Sequence, residues 1–269
     1  MSNRKPRFEE ILTVGRSYGR LSEAPGLWKG NVGLWSFAEG GGGKVYDVSG
    51  RGNNGTLING PIWVPDGIDL PTSATDYIEG SGFNTAGWSG ISLCIWVNIA
   101  TPFRQRLMTL SGAGDTSWEH VIQYWNDALE VGINESGSAI QTTGLPLNAD
   151  TWYNIVLTAT AGTANNVKTY VDAALISTLS TSFTTLNATD RFQFGKLSQY
   201  TLSGFKIGFA CVYSRSLSAS EIQQLYEDPY AMLRLRPRTI GLPTAAPVVS
   251  TRGGILHRGQ VPGILSRAG

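Results

Sequence analysis

Paired carboxylates are the first residues to test for chemistry, because two of them roughly 5 to 10 Å apart can flank and cleave a glycosidic bond. Side chains alternate between the faces of a strand, so acids sharing a face stand an even number of positions apart. Asp66 with Asp69, and Asp76 with Glu79, are each three apart, and no Glu-x-Asp-x-x-Glu run occurs. Only two histidines, His120 and His257, are present. They support neither a Ser-His-Asp arrangement nor a multi-histidine zinc site, and His120 is read as a strand residue. Gly40 to Gly43 form a glycine run, but no Lys-Ser/Thr follows to complete a phosphate loop. The chain is therefore read as a non-enzyme.

Binding is the remaining chemistry. Trp88, Trp118, Tyr124 and Trp125 fall in or near predicted loops, where a ring can stack on a sugar face. Trp118 and Trp125 are the carbohydrate-binding candidates. The sequence has eight tryptophans, most of which must fill a core, and Trp35, Trp96 and Trp152 are assigned there.

Charge supplies a second signal. Residues 1–20 carry five basic side chains against two acids, and residues 229–269 carry six arginines and no acid. Taking those +3 and +6 from the net +1 leaves −8 for the body between them. Two basic ends flanking an acidic body suit attachment to an acidic partner. Arg234, Arg236, Arg238, Arg252 and Arg258 are the partner-binding candidates; the first three alternate, so an extended backbone directs them to one side. Few aromatics interleave the arginines, which ranks nucleic acid last among the partners.

Three segments position these residues: an arm over 1–30, a β domain over 31–228, and an extended Pro/Gly-rich basic arm over 229–269. The whole chain has 41% hydrophobic and 15% charged residues, which indicates a globular protein, and the many short alternating runs of the body indicate an all-β sandwich. Strands are predicted at 34–37, 91–98, 107–110, 152–159, 167–171 and 204–213. A further pair, 119–125 and 128–133, turns at Asn126-Asp127. Residues 60–65 carry Pro61 and Pro65 and are predicted at an edge or bend. Residues 175–189, rich in Ser and Thr, are predicted to meander on the surface. Ser218-Ala-Ser-Glu221 is a capping box that opens a two-turn helix with Ile222 and Leu225 on its apolar face. Leu27-Trp28 is expected to pack against the domain edge. No stretch approaches the roughly twenty apolar residues of a membrane helix, and MSNRKPRFEE lacks an apolar export signal. The expected setting is a cytosol, where Cys94 and Cys211 act as small apolar strand residues.

Residues 33–57, GLWSFAEGGGGKVYDVSGRGNNGTL, combine an apolar strand, an acidic glycine turn and Asp47 followed by Ser-Gly-x-Gly-Asn-x-Gly-Thr-Leu. This run resembles the opening signature of laminin-G-like domains of the concanavalin A-like jelly-roll superfamily, and the resemblance extends over residues 30–227. It implies a jelly-roll β-sandwich with extended N- and C-terminal arms. Relatives often hold calcium; Asp47 matches the family's aspartate and Asn53 lies in the adjoining loop, so these two are the metal candidates. Residues 207–210, however, read Ile-Gly-Phe-Ala where relatives carry an acid. No cofactor is therefore expected, and Asp47 has the alternative of bonding its own turn.

The ending from Asp228 to Arg238 resembles phage-encoded laminin-G-like chains. That implies a structural virion protein of a tailed phage, assembled in the host cytoplasm: a capsid decoration or cement protein, or another head or tail component. Its partners would be other virion proteins, the major capsid protein first, and further copies of itself. The alternative is a lectin-like module for host-surface or environmental glycans.

Overall fold

The computed structural model describes residues 24–71, 75–100, 102, 104–112, 118–133, 141–162, 166–179, 186–196 and 204–234. The chain opens with a 3-10 turn, Pro25–Trp28. Among the described residues sixteen strands follow: β1 (Asn31–Trp35), β2 (Lys44–Val45), β3 (Gly55–Ile58), β4 (Ile62–Val64), β5 (Gly67–Leu70), β6 (Tyr77–Ser81), β7 (Gly90–Ile99) and β8 (Gln105–Ser111). After them come β9 (Trp118–Trp125), β10 (Ala128–Ile133), β11 (Gln141–Thr142), β12 (Thr151–Thr160), β13 (Val167–Val171), β14 (Ala174–Leu179), β15 (Arg191–Phe194) and β16 (Phe205–Tyr213). Helix α1 (Ala219–Glu227) and a last 3-10 turn, Ala231–Leu233, complete the order.

The strands form two eight-stranded antiparallel sheets. The first runs β14-β13-β12-β7-β16-β5-β4, with β1 also paired to β16; the second runs β11-β10-β9-β8-β15-β6-β3-β2. Ten-residue β7 is buried throughout and lies between β12 and β16. Alternate residues of the facing strands fill the space between the sheets, where Trp35 packs on Phe192 and Phe194 at ring centroid distances of 4.4 and 5.5 Å. The all-β sandwich predicted from the sequence is thus observed.

Local rules account for the turns. Asn126 and Asp127 both take positive φ, 49° and 62°, the geometry that a two-residue hairpin joining β9 and β10 requires. At Gly67, with φ of 136°, an added Cβ would stand 1.9 Å from the Ile207 carbonyl oxygen, so the β4–β5 hairpin closes onto β16 only with glycine there.

A second apolar cluster covers the outer face of the first sheet. Trp96, Trp152, Phe209 and Tyr213 from the strands meet Ile222 and Leu225 of α1, together with Leu27, Tyr230 and Met232. The capping box is formed in full: Ser218 accepts from the Glu221 amide and the Glu221 side chain from the Ser218 amide. Trp96 and Trp152 therefore lie beneath α1 and not between the sheets.

One expectation changes. Residues 174–179, expected to meander, form β14, because the hairpin after Val171 carries Asp172 and Ala173 at positive φ, 50° and 64°, and returns the chain along β13. Leu27 and Trp28 pack against the sandwich as the sequence suggested, together with Ala24 before them and Tyr230, Ala231 and Met232 after α1. No helix among the described residues is long and apolar enough to cross a membrane.

Candidate functional site

The outer face of the second sheet carries polar chemistry in rows. Cross-strand register aligns Thr56, Glu79, Gln193, Thr109, Val121 and Gly132, running from β3 to β10. A neighbouring row aligns Arg106, Gln123, Glu130 and Thr142. These residues alternate with core residues such as Ile78, Phe192, Ile122 and Leu129, which fixes their outward direction.

Side-chain hydrogen bonds tie the rows together. Gln193 Nε2 donates to Glu79 Oε2 at 2.7 Å, Ser111 Oγ donates to Gln193 Oε1 at 3.4 Å, and Gln123 Nε2 donates to Glu130 Oε2 at 2.8 Å. Lys196 and Arg191 reach Glu79 Oε2 at 3.4 and 3.6 Å, and Arg191 also pairs with Asp190 at 2.8 Å. Aromatic rings stand at two positions: the Lys196 ammonium lies 4.6 Å over the Tyr77 ring, and the Arg104 guanidinium 4.5 Å over the Trp125 ring. Thr109 and Gln123 are only 2% and 4% exposed, yet Thr109 Oγ1 and Gln123 Oε1 have no hydrogen-bond partner. A buried polar atom without a partner costs about 1 to 3 kcal/mol, so these two positions destabilise the face locally.

The arrangement does not suit glycosidase chemistry. Glu79 on β6 and Glu130 on β10 are four strand spacings apart, about 19 Å, well beyond the span of a carboxylate pair. Asp190 and Glu79 are closer, but the Arg191 guanidinium lies between them, where a glycosidic oxygen would have to be. His120 is buried against Thr85, with Oγ1 and Nε2 3.3 Å apart, on the core side of β9.

Asp47 sits at the seam of the two sheets, bridged to Trp35. Its Oδ1 accepts the amides of Leu34 at 3.0 Å and Ser49 at 2.8 Å, and its Oδ2 accepts the Asn53 amide at 2.9 Å. Asn53 in turn donates Nδ2 to the Val32 carbonyl at 2.7 Å and accepts the Trp35 indole N–H at 2.8 Å. The aspartate thus organises the turn that the sequence placed around it.

Residues 72–223, more than half of the chain, match the sequence profile of the concanavalin A-like lectin/glucanases superfamily. The chain belongs to that superfamily. The match begins after the 33–57 run on which the sequence resemblance first rested. No curated protein sequence matches the chain. Among solved structures it is similar to one of botulinum neurotoxin type C, whose cell entry is described as depending on two ganglioside molecules. That likeness has 12% identity and a TM-score of 0.57, covering 74% of this chain and 51% of that one. The binding domain of Paraclostridial Mosquitocidal Protein 1 gives 16% identity, a TM-score of 0.58, and coverage of 74% and 52%. Trypanosoma rangeli sialidase in complex with sialic acid gives 18%, 0.56, and coverage of 73% and 32%. The chain spans about half of each toxin structure and a third of the sialidase. These likenesses establish the fold.

Superfamily membership raises the question of calcium. The Asp47 site does not fit it, because a hard cation of six to eight oxygen ligands would meet three N–H donors aimed at the same carboxylate. Among the described residues no group of three acidic, histidine or cysteine side chains could hold a metal ion.

The other predicted site residues separate. Trp125 is half-buried beside Arg104 at one end of the polar face. Trp118 starts β9 opposite Ser111, and its side chain lies outside the described residues. Tyr124 and Trp88, expected near loops, belong to the core: Tyr124 faces it beside Leu129, and Trp88 packs edge-on against Phe83 at 6.1 Å. Arg234 pairs with Asp228 and closes the last 3-10 turn. Arg236, Arg238, Arg252 and Arg258 lie outside the described residues. Sequence reasoning missed Thr109, Gln123, Gln193 and Glu79, although polar residues alternating with Leu110, Ile122, Phe192 and Ile78 were the available signal. Cys94 and Cys211 are opposed in register on β7 and β16, buried and unbridged, and burial pushes the Cys211 thiol up.

Proposed function

We propose that the chain is a non-enzymatic structural virion protein of a tailed phage, a capsid decoration or other head or tail component held by its basic arms with the second sheet facing outward. The observation that carries this reading is where the two ends of the sandwich meet. Trp28 Nε1 donates to the Met232 carbonyl at 2.8 Å, and Arg215 donates to the Lys29 carbonyl at 2.7 Å while pairing with Glu221 at 2.6 Å. The two described ends of the chain therefore lie together on the α1 side, opposite the polar face. Several weak arm contacts repeated over a lattice then add up to firm attachment. The resemblance of residues 228–238 to phage-encoded chains supports the same setting, with the major capsid protein as first partner. Deleting residues 237–269, a unit separate from the sandwich, should abolish incorporation into purified particles while circular dichroism and the melting midpoint stay unchanged. Normal incorporation would sink the reading.

A second reading, a lectin-like module for host-surface or environmental glycans, rests on Trp125, which lies half-buried under the Arg104 guanidinium at one end of the polar face. A glycan array probed with the full chain should give hits that weaken at least tenfold in Gln123→Ala and Trp125→Ala. Silence across diverse glycans would eliminate it.

A further inference from the structure

The chain has two cysteines, and the fold sets them face to face. Cys94 on β7 and Cys211 on β16 are opposed in register, fully buried and unbridged. Directly opposed residues of an antiparallel pair have Cα atoms about 4.5 to 5.5 Å apart, inside the range of about 4.4 to 6.8 Å that a disulfide spans. Neither strand has to move for the sulfurs to join. The two thiols already share a hydrogen bond, and the Asn154 side-chain amide donates to Cys94 Sγ at 3.4 Å. With no third cysteine in the chain, neither sulfur has a competing partner.

The cover over the pair is equally well defined. On the face of β7 that carries Cys94, the flanking residues are Ser92 and Trp96. Ser92 Oγ accepts the Leu217 amide at 2.9 Å, and the Trp96 ring stacks parallel to that of Tyr226 at 5.8 Å. The segment from Leu217 through α1 therefore lies across Cys94, and Ile222 and Leu225 pack in the same apolar cluster as both cysteines. Burial pushes the Cys211 thiol up, and the thiolate is the form that reacts. A seated helix thus keeps the pair both shielded and protonated.

We infer that Cys94 and Cys211 are a latent disulfide gated by α1, closed by a small-molecule disulfide oxidant when the helix lifts and kept reduced while it is seated. Exchange runs in two displacements. The Cys94 thiolate, with the Asn154 donor at its sulfur, attacks one sulfur of the oxidant and expels a small thiolate. The Cys211 thiolate then attacks Cys94 Sγ and expels the second. The chain loses two protons and two electrons, and the oxidant is reduced to two small thiols. The new bond joins neighbouring strands of the first sheet and closes a loop that holds β8 to β15, so it restricts the unfolded chain strongly. This inference stands apart from the virion and glycan readings, either of which could fail with the bridge intact.

Incubation of the full chain with oxidised glutathione, acid quenching and intact mass measurement provide the test. The expected product is a single chain lighter by two hydrogens, with residues 94 and 211 in one linked peptide after digestion and a melting midpoint above that of the reduced chain. Leu225→Ala, which loosens α1, should speed its formation at least tenfold with unchanged circular dichroism, and Cys94→Ser should abolish it. Should Leu225→Ala misfold, urea on the unaltered chain is the second readout: the rate should rise with urea below the global unfolding transition, as local opening of the helix becomes more frequent. Both thiols still free after refolding in oxidised glutathione, a lasting glutathione adduct, chains linked to one another, or a rate indifferent to Leu225→Ala and to urea would each overturn the inference.

Discussion

The two sheets match in strand number and antiparallel direction, yet their outer faces have been finished in opposite ways. One is a second hydrophobic core, roofed by α1 and by segments that arrive from before and after the sandwich: Leu27 from the N-terminal side, Tyr230 and Met232 from the C-terminal side. The other is a lattice of amides, carboxylates and guanidinium groups, several of them deeply buried. Membership of a sheet therefore does not assign a face its role. What decides is whether another part of the chain brings apolar side chains to cover it. The covered face holds the molecule together through apolar packing; the polar face is closed by its own hydrogen bonds, with Thr109, Gln123 and Gln193 only 2 to 4% exposed.

The strongest way to break this contrast is to place a charge on each face. Met232→Lys puts an unpaired ammonium into a site with no exposure and should lower stability by about 3 to 5 kcal/mol. Thr56→Lys, on the exposed part of the polar face, should stay within about 0.5 kcal/mol. Urea melts of the two variants measure both, and equal losses would erase the distinction.

Next in size is the seam that both sheets share. Asp47→Ala leaves the Leu34, Ser49 and Asn53 amides without their acceptor, a loss of about 2 to 4 kcal/mol for groups this buried. An unchanged melting midpoint would remove Asp47 from the list of residues that hold the fold.

The smallest effect sharpens the account of the covered face. The Arg215 guanidinium beside Glu221 holds that carboxyl down at about 2. A carboxyl depressed in the folded state stabilises it above the ordinary 4.5 and loses that contribution as pH falls from there through about 2. Arg215→Met should therefore melt lower than the parent at pH 7, and the part of the gap due to Glu221 should close as pH approaches 2. A gap that stays constant between pH 5 and 2 would mean that Glu221 contributes nothing through its charge.

Much of this architecture could be read residue by residue. Asn126-Asp127 announced a hairpin because few residues tolerate positive φ twice in succession, and Ser218 with Glu221 announced a helix start because the capping box is local. Trp35 was placed in the core and is there. Tyr124 and Trp125, adjacent and similar in type, could not be ranked by eye. One faces the core beside Leu129 and the other lies beside Arg104, and a one-residue change in where a strand begins exchanges them. The Ser/Thr-rich run after Val171 hid β14, since its pairing depends on β13 and not on its own composition. The polar face was overlooked for a related reason: Thr109, Gln123, Gln193 and Glu79 are far apart along the chain and become neighbours only across strands.

The sequence by itself determined the all-β class, the turn around Asp47, the capped helix and the concentration of positive charge at both extremities, because each depends on residues close together in the chain. Only the tertiary structure decided that α1 and the segments just before and after the sandwich cover the same face, that the opposite face keeps its polar side chains, and that residues 174–179 pair as β14. Those outcomes depend on which strands become neighbours, and strand pairing joins residues as far apart in the chain as Asn31 and Tyr213. No local pattern encodes that distance.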